Sequence, residues 1–311
     1  MAWAGPEGSV LSITEENDLF VRTDRHYTQG LKITEMFQDD YMPNFLLKFS
    51  EHTPPLGMKI EASKFGLSVG QNLYTPANID VASYIPNDRP YAGWLYLGLI
   101  LQRRGQTGAD RPVLDNLELN LGLIGPEALG DEAQTTVHRL RGFHLPRGWG
   151  NQLRTEPGLQ LKYARLWRHR VECGNWAGEL IPHAGLSLGN VATFANLGGT
   201  VRFGYNVPND FGPQYIDLPT VESGTESPHW GAYLFAGLDG RAMAYTAFLD
   251  GNLFESSHRI EKRVLVGDYK IGATLVLKRA EVSYTYVVRS KEFYGQSDKD
   301  GFGSVSLRYK F

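Results

Sequence analysis

The segment Gly303–Phe311, "GSVSLRYKF", decides the fold class because its residues alternate in character. Val305, Leu307, Tyr309 and Phe311 fall on one face of an extended chain, and serine, arginine and lysine occupy the other. Such alternation is typical of a β-strand with one apolar and one polar face. It fits both a soluble all-β fold and a transmembrane β-barrel, whose residues alternate between lipid and lumen.

The composition of the 311-residue chain favours the barrel. The mean hydropathy is −0.30, and no stretch reaches the roughly 18 apolar residues of a membrane-spanning helix. Barrel strands nevertheless look polar on average, because every second residue faces the lumen. The 35 glycines, 16 tyrosines and 15 phenylalanines suit turns and aromatic girdles. A final strand that ends in Phe is also similar to the C-terminal signature of bacterial outer-membrane barrels.

Charge and cysteine content exclude several classes of protein. A net charge of −3 gives no reason to expect a nucleic-acid partner. The one cysteine, Cys173, excludes an intramolecular disulfide framework and a cysteine-rich zinc site. No secretory signal is visible in "MAWAGPEG", so we expect either a cytosolic product or a mature form with an added Met.

Strand-like segments recur along the whole chain, and residues 1–311 are expected to form one domain. The thirteen candidates are 9–20, 27–37, 63–73, 91–103, 113–123, 157–169, 176–189, 197–206, 230–239, 241–249, 265–278, 280–290 and 302–311. A closed antiparallel barrel needs an even number, so we predict twelve strands and place the error within 176–206. Hairpin turns are predicted at Lys278-Arg279 and at Asp239-Gly240.

Three segments are too long for tight turns: 38–62, where "YMPNFLLKFSEH" predicts a short amphipathic helix, 71–90 and 124–156. In the last of these, an extracellular loop on this prediction, a helix is expected over about 131–141, ending at Gly142. Gln134 and His138 are four residues apart and would project from the same helix face. An amide and an imidazole can therefore converge on one point beyond the strand ends.

His138 is the candidate general base, since an imidazole titrates near neutrality. Spacing alone favours a solvated surface helix with an incidental histidine, and His138 stands out through its long loop, the partner Gln134 and the aromatic residues Phe143 and Trp149. No G-x-S-x-G sequence occurs, and Arg139 and Leu140 stand where a nearby nucleophilic serine would have to be. Water is therefore the simpler nucleophile.

A second polar group lies in "EENDLFVRTDRHYTQG", residues 15–30, after the first strand. Asn17 and Asp18 offer oxygen ligands suited to a hard cation such as calcium, and Thr28 and backbone carbonyls could complete the shell. The same residues are also good turn chemistry for a surface loop.

Four segments together resemble the lipid A 3'-O-deacylase family of Gram-negative outer membranes. They are "ENDLFVRTDRHYTQG" at 16–30, "DRPYAGWLYLG" at 88–98, "GLIGPEALGDEAQTTVHRL" at 122–140 and "GWGNQL" at 148–153. They occur in the family's order and, with the sequence between them, span about half the chain.

The resemblance implies a twelve-stranded barrel that removes the 3'-linked acyloxyacyl group of lipid A by calcium-dependent hydrolysis near the outer leaflet. His138 would then be the general base and Gln134 its neighbour. Asn17 and Asp18 would support calcium or the oxyanion, and Thr28 is a further catalytic candidate. A family lysine that helps to hold the substrate has no clear counterpart here, and Arg89 is the candidate replacement.

Partners follow from the same reading: lipid A or lipopolysaccharide as substrate, the outer membrane as location, and a monomeric state. Six arginines are expected in or near external segments, where they could contact lipopolysaccharide or simply be solvated: Arg22, Arg25, Arg89, Arg139, Arg141 and Arg147. Two alternatives remain open, an outer-membrane phospholipase and a non-catalytic channel or lipopolysaccharide-binding barrel.

Overall fold

The computed structural model describes residues 8–21, 25–108, 110–217 and 229–311. The strands are β1 Val10–Asn17, β2 His26–Phe37, β3 Lys59–Thr75, β4 Ala92–Thr107, β5 Arg111–Ile124, β6 Glu156–Trp167, β7 His169–Cys173, β8 Trp176–Gly189, β9 Ala192–Tyr205, β10 Trp230–Thr246, β11 Leu265–Leu277, β12 Ala280–Arg289 and β13 Asp300–Lys310. The α-helices are α1 Asn44–His52, α2 Gly130–Arg141 and α3 Ala247–Asp250. Short 3-10 helices span Asp18–Val21, Asp39–Tyr41, Pro126–Ala128 and Trp149–Asn151. None of the helices in these ranges is long and apolar enough to cross a membrane.

The strands form one closed antiparallel barrel. Apart from β6 and β7, each strand pairs with its neighbour in sequence, and β1 also pairs with β13. The segments β6 and β7 are two halves of one wall strand interrupted at Arg168, because both pair with β8. Twelve strands therefore form the wall of the barrel, which confirms the predicted fold class and strand number.

The thirteenth candidate came from a wrong hairpin. Asp239 and Gly240 lie in the middle of β10, where they pair with Asp268 and Gly267 of β11 without a turn. The Asp239 carboxylate accepts a hydrogen bond from His183 inside the barrel. Asp239 is therefore a polar residue of the lumen and not part of a turn. The predicted error within 176–206 is also wrong, because β8 and β9 are both present there. The hairpin at Lys278-Arg279 is confirmed, since Leu277 pairs with Ala280.

Two predicted loop boundaries also move. Strand β3 runs from Lys59 to Thr75, so it takes up the end of the predicted loop 38–62 and the start of 71–90. The predicted helices are present as α1 and α2. Predictions that fall on residues 1–7 and on Arg22 lie outside the described residues.

The two faces of the wall have opposite polarity, as expected for a barrel in a membrane. Leu97, Leu197 and Leu234 point outward and are each about 70% exposed. The inward positions carry polar or charged side chains, such as Lys32 and Glu118, which form a buried ion pair with 2.5 Å between Nζ and Oε1. An outer aromatic stack of Trp176, Phe203, Tyr205 and Trp230 suits one membrane interface.

The two ends of the barrel differ. One end holds the start of β1, the end of β13, the tight connections 174–175 and 278–279 and the longer segment 38–58 with α1, and we call it the terminal end. The opposite end, the loop end, carries 18–21, 76–91, 125–155, 247–264 and 290–299, together with the tight connection 190–191. In outer-membrane barrels the longer loops are extracellular.

A segment from the terminal end fills much of the lumen. After β9 ends at Tyr205, residues 207–217, which we call the plug, run inside the barrel from the terminal end toward the loop end. The plug contacts successive inward-facing residues of β1. Gln214 accepts a hydrogen bond from Ser12, and the backbone N–H of Ile216 donates to Glu16 at 3.2 Å. Asp210 is held by Arg202 of β9 and Arg308 of β13. The lumen is therefore filled by chain and ion pairs.

Candidate active site

Helix α2 is delimited by its own sequence. Asp131 and Glu132 lie in the first turn, where negative charge is favoured by the helix dipole. Gly142 follows the last turn with φ 70°, a left-handed conformation that glycine adopts without steric penalty. The next residue, Phe143, donates its backbone N–H to the carbonyl of His138 at 2.9 Å. This reversal carries the chain back over the helix end.

His138 is held by that reversal. Its Nδ1 lies 2.5 Å from the backbone carbonyl oxygen of His144, and Phe143 packs against the ring edge to face at 5.8 Å. The His138 side chain is buried. A carbonyl oxygen only accepts hydrogen bonds, so the proton of the neutral ring is on Nδ1 and the basic lone pair is on Nε2.

Gln134 lies on the same helix face as His138, and both are buried, as the spacing predicted. The Gln134 Oε1 accepts a hydrogen bond from the indole Nε1–H of Trp149 at 2.8 Å. Because the oxygen is engaged by a donor, the amide orientation is fixed, and the NH₂ group is its donating side.

Helix α2 and its flanking turns lie against the outer face of the wall. Along β3, Tyr74 points into the lumen and its neighbour Leu73 points outward. Leu73 forms an apolar cluster with Tyr91 and Trp149. A Cβ on Gly130 would come within 2.6 Å of Trp149, so only glycine allows the helix to begin this close to that ring. The site is therefore built between the helix and the outside of the barrel.

Asn17 and Asp18 lie two strands away on the same side of the wall. Asn17 pairs with Gln29 of β2, and Gln29 pairs with Leu73 of β3, so the three residues share the outward face. The Asn17 Oδ1 accepts the backbone N–H of Leu19 at 2.8 Å, and the Asp18 Oδ2 accepts that of Arg25 at 2.5 Å. These bonds fix both side chains where β1 leaves the wall.

Thr28 is placed by a β-bulge. The pairing of β2 with β3 shifts between Tyr27 and Gln29, which leaves Thr28 as the extra residue, and bulges commonly redirect a side chain beside an active site. The Thr28 hydroxyl lies 2.7 Å from that of Thr75. Thr75 was missed by the sequence argument, because the strand was expected to end at 73.

Arg89 occupies a different place from the other candidates. Its guanidinium donates to Glu292 at 3.0 Å and stacks over Tyr74, whose side chain faces the lumen. Arg89 is only 1% exposed. The structure therefore brings His138, Gln134, Asn17, Asp18 and Thr28 to the outer face, and Arg89 to the interior. Its predicted role in holding the substrate stays a prediction.

A buried cluster beside Arg89 was also missed by the sequence argument. The His26 ring lies between Asp300, 2.7 Å from Nδ1, and Asp88, 3.5 Å from Nε2. Burial alone would raise the pKa of Asp88, but hydrogen bonds from His26 and from the backbone of Ala77 and Arg89 hold it below its ordinary value. The signal that could have found the cluster is the Asp-Arg pair at 88–89, which follows a long loop.

The remaining arginines lie in the loops of the same end. Arg25 pairs with Asp300 at 3.3 Å, and Arg139, Arg141 and Arg147 are exposed. Exposed guanidinium groups at this level can meet phosphate groups at a membrane surface.

The donor set at Asn17 and Asp18 fits calcium in kind. It consists of one buried carboxylate, one amide oxygen and the nearby Thr28 hydroxyl, which are all hard oxygen donors. Across the described ranges, no group of three or more His, Cys, Asp or Glu side chains could hold a metal. Calcium bound here would therefore draw further oxygens from backbone carbonyls, water or substrate.

A closed antiparallel barrel with an apolar outer face and a polar, filled lumen defines a bacterial outer membrane β-barrel protein. The family model described as "Outer membrane protein LpxR" matches residues 1–311, and the chain belongs to that family. This confirms the resemblance to the lipid A 3'-O-deacylases and the outer-membrane location. Family membership supports a lipid A deacylase that meets lipopolysaccharide in the outer membrane.

One solved structure of the same family agrees with the fold, and a second is less similar. LpxR from Salmonella typhimurium is 20% identical and aligns over 97% of this chain and 100% of its own, with a TM-score of 0.77. The beta domain of the Bordetella autotransporter BrkA is 12% identical over 97% of this chain and 98% of its own, with a TM-score of 0.46. No curated protein sequence matches the chain.

Proposed function

We propose that the protein hydrolyses the 3'-linked acyloxyacyl ester of lipid A, with a water molecule activated by His138 and with calcium as cofactor. The observation that carries the proposal is the hydrogen bond from His138 Nδ1 to the carbonyl of His144, because it assigns the basic lone pair to Nε2. A buried, oriented, neutral imidazole is the form that a general base requires.

The reaction begins when Nε2 of His138 takes a proton from water as the water oxygen attacks the ester carbonyl carbon. The C=O π electrons move onto oxygen, and the resulting tetrahedral oxyanion is stabilised by hydrogen-bond donors. The NH₂ group of Gln134 is one such donor, held in orientation by Trp149. Collapse breaks the bond to the sugar oxygen, which receives the proton from His138 and leaves as an alcohol. The fatty acyl group leaves as a carboxylic acid.

Asn17, Asp18 and Thr28 would hold calcium on the same outer face. Bound calcium supplies positive charge that polarises the ester carbonyl. The chain's own contribution there is orientation, since the bonds to the backbone N–H groups of Leu19 and Arg25 fix the Asn17 amide and the Asp18 carboxylate.

The position of the site supports a lipid substrate. Helix α2 lies on the outside of the wall at the loop end, beside side chains that face the bilayer. Lipid A occupies the outer leaflet of an outer membrane, so its acyl chains could reach this surface without entering the lumen. We further propose that one chain is sufficient for activity, because every catalytic candidate comes from the same barrel.

The experiment is mass spectrometry of lipid A after incubation with the purified protein and calcium. Loss of the acyloxyacyl group at the 3' position is expected, and recovery of intact lipid A would refute the proposal. Parallel incubation with phospholipid separates the phospholipase alternative by its product.

A further inference from the structure

A cavity of about 70 Å³ lies inside the barrel near the loop end, away from the active site. The plug forms one side of it through Ile216 and Asp217, and Tyr74, Trp94 and Phe248 contribute aromatic walls. None of the five catalytic candidates on the outer face lines it. The cavity is therefore a separate feature of the molecule.

Cationic side chains dominate the charged lining. The cations are Arg89, Lys162, Arg241, Lys262, Arg263 and Arg289, and the carboxylates are Asp217 and Glu292. Two carboxylates are shared between these cations: Glu292 lies near both Arg89 and Arg289, at 3.0 and 3.8 Å, and Asp268 binds both Arg241 and Arg289, whereas Lys262 has its own partner in Asp250 at 2.9 Å. Positive charge on the lining is thus only partly compensated.

Three of the lining guanidinium groups, those of Arg89, Arg241 and Arg263, have an Nε–H donor that forms no hydrogen bond within the described structure. The Nε–H of Arg89 is buried and has no hydrogen-bond partner in the described structure. The same holds for the Nε–H of Arg263, whose guanidinium stacks on Tyr294 at 4.5 Å. Within the described ranges no carboxylate forms an ion pair with Arg263. A buried donor without a partner is unfavourable, and an acceptor supplied by a ligand would satisfy it.

The plug itself places one anionic side chain, Asp217, in the cavity. The Asp217 carboxylate extends from the plug to Arg241 at 3.2 Å and to Lys162 at 3.9 Å, and it is half exposed. These are loose contacts for a carboxylate between two cations, because charge-assisted bonds are ordinarily shorter than 3 Å. A larger anion with more acceptor oxygens would engage the same cations and the unused Nε–H groups as well.

The size of the cavity limits the ligand to a small group. A volume of about 70 Å³ has room for a few water-sized groups. A phosphate group is small enough for such a space and offers arginine the bidentate geometry that it prefers.

We propose that this interior cavity binds a phosphate group, with Arg89 and Arg263 as its principal donors and Arg241 as a further cation. The phosphate belongs either to a small soluble molecule or to the head group of a lipid that reaches over the loop end. The residues of this site differ from those of the hydrolytic site on the outer face.

The test is calorimetric titration of the purified barrel with inorganic phosphate in calcium-free detergent buffer. The wild-type protein should bind one phosphate saturably, and Arg263→Gln should weaken binding by about tenfold or more through loss of a charge-assisted contact. Arg263 suits this test because its replacement breaks no ion pair among the residues that the structure describes. Arg154→Gln is the matched control, since its pair with Glu255 is exposed and it does not line the cavity.

A second measurement identifies the source of the phosphate. If it comes from lipid A, Arg263→Gln should raise KM for phosphorylated lipid A but not for dephosphorylated lipid A. If it comes from a soluble molecule, both KM values should stay unchanged while phosphate binding is lost. His138→Ala should bind phosphate normally, so loss of hydrolysis does not bear on this site. Absence of phosphate binding together with an unchanged KM, or equal binding by Arg263→Gln and wild type, would overturn the proposal.

Discussion

The Nδ1 of His138 and the backbone carbonyl oxygen of His144 lie 2.5 Å apart, across the glycine turn that ends α2. A main-chain oxygen thus orients the candidate base, where many hydrolases use a carboxylate. The orientation depends on the path of the backbone after Gly142, and the His144 side chain takes no part in it.

The first prediction concerns this bond. His138→Ala should lower the rate of 3'-deacylation by about 10²–10⁴-fold, the usual contribution of a general base. His144→Ala should retain near-wild-type activity, because the carbonyl remains. Mass spectrometry of lipid A measures both, and heat-modifiable migration on gels checks that each barrel folds. Full activity in His138→Ala would refute the mechanism.

The second prediction concerns Gln134 and Trp149. Trp149→Phe removes the indole N–H and keeps an aromatic ring against Tyr91. Loss of one hydrogen bond of about 1 kcal/mol predicts a fall in kcat of about fivefold. Gln134→Ala should have a larger effect, since the donating amide itself is removed. An unchanged kcat in both variants would exclude Gln134 from the reaction.

The third prediction concerns calcium. Chelation should abolish activity reversibly, and Asp18→Asn should raise the calcium concentration for half-maximal activity by about tenfold or more, because a charged ligand becomes neutral. Asp131→Asn is the matched control, since Asp131 is an exposed carboxylate on α2 that binds Thr135. A calcium titration of the initial rate decides the question, and equal titration curves for Asp18→Asn and wild type would remove Asp18 from the cation site.

The fourth prediction concerns the lumen ion pair of Lys32 and Glu118. Lys32→Met should destabilise the barrel by about 3–5 kcal/mol, because Glu118 is left charged and buried. The double replacement Lys32→Met with Glu118→Met should recover most of that loss. Urea unfolding in detergent measures both. Equal stability of the single and double variants would contradict the explanation that the loss comes from an uncompensated charge on Glu118.

The fifth prediction separates the enzyme from a channel. Because the plug and its ion pairs occupy the lumen, the wild-type protein should show no steady conductance in a planar bilayer. Asp210→Ala removes the carboxylate that binds Arg202 and Arg308, and intermittent conductance is expected from the loosened plug. A stable open pore in the wild-type protein would favour the channel alternative.

Much of the fold could be predicted from alternation, because each wall strand has one lipid face and one lumen face. The pattern failed at Asp239-Gly240, where a sequence that favours a turn lies within a strand. Local sequence cannot distinguish the two, since the deciding contact is the long-range bond of Asp239 to His183. The requirement for an even number of strands gave the correct count of twelve. It did not show which of the thirteen candidates was wrong.

The candidate site could be predicted in part. The four-residue spacing placed Gln134 and His138 on one face of α2, and both are buried there. The sequence could not show that the site lies on the outer face of the barrel wall. That position depends on the register that pairs Asn17 with Gln29 and Gln29 with Leu73. For the same reason, nothing in the sequence near Arg89 indicated that its side chain faces the interior. The plug was also missed, since "VPNDFGPQYID" has the composition of an ordinary loop.

The plug has a further consequence for how the barrel is held shut. The cylinder is closed where β1 meets β13, and the plug touches both sides of that seam, Ser12 on the first strand and Arg308 on the last. An internal brace thus spans the joint between the two ends of the chain, in addition to the backbone ladder. The contacts of the plug therefore stabilise the pairing of β1 with β13 as well as the interior of the barrel. Loss of these contacts should weaken the barrel first between its first and last strands.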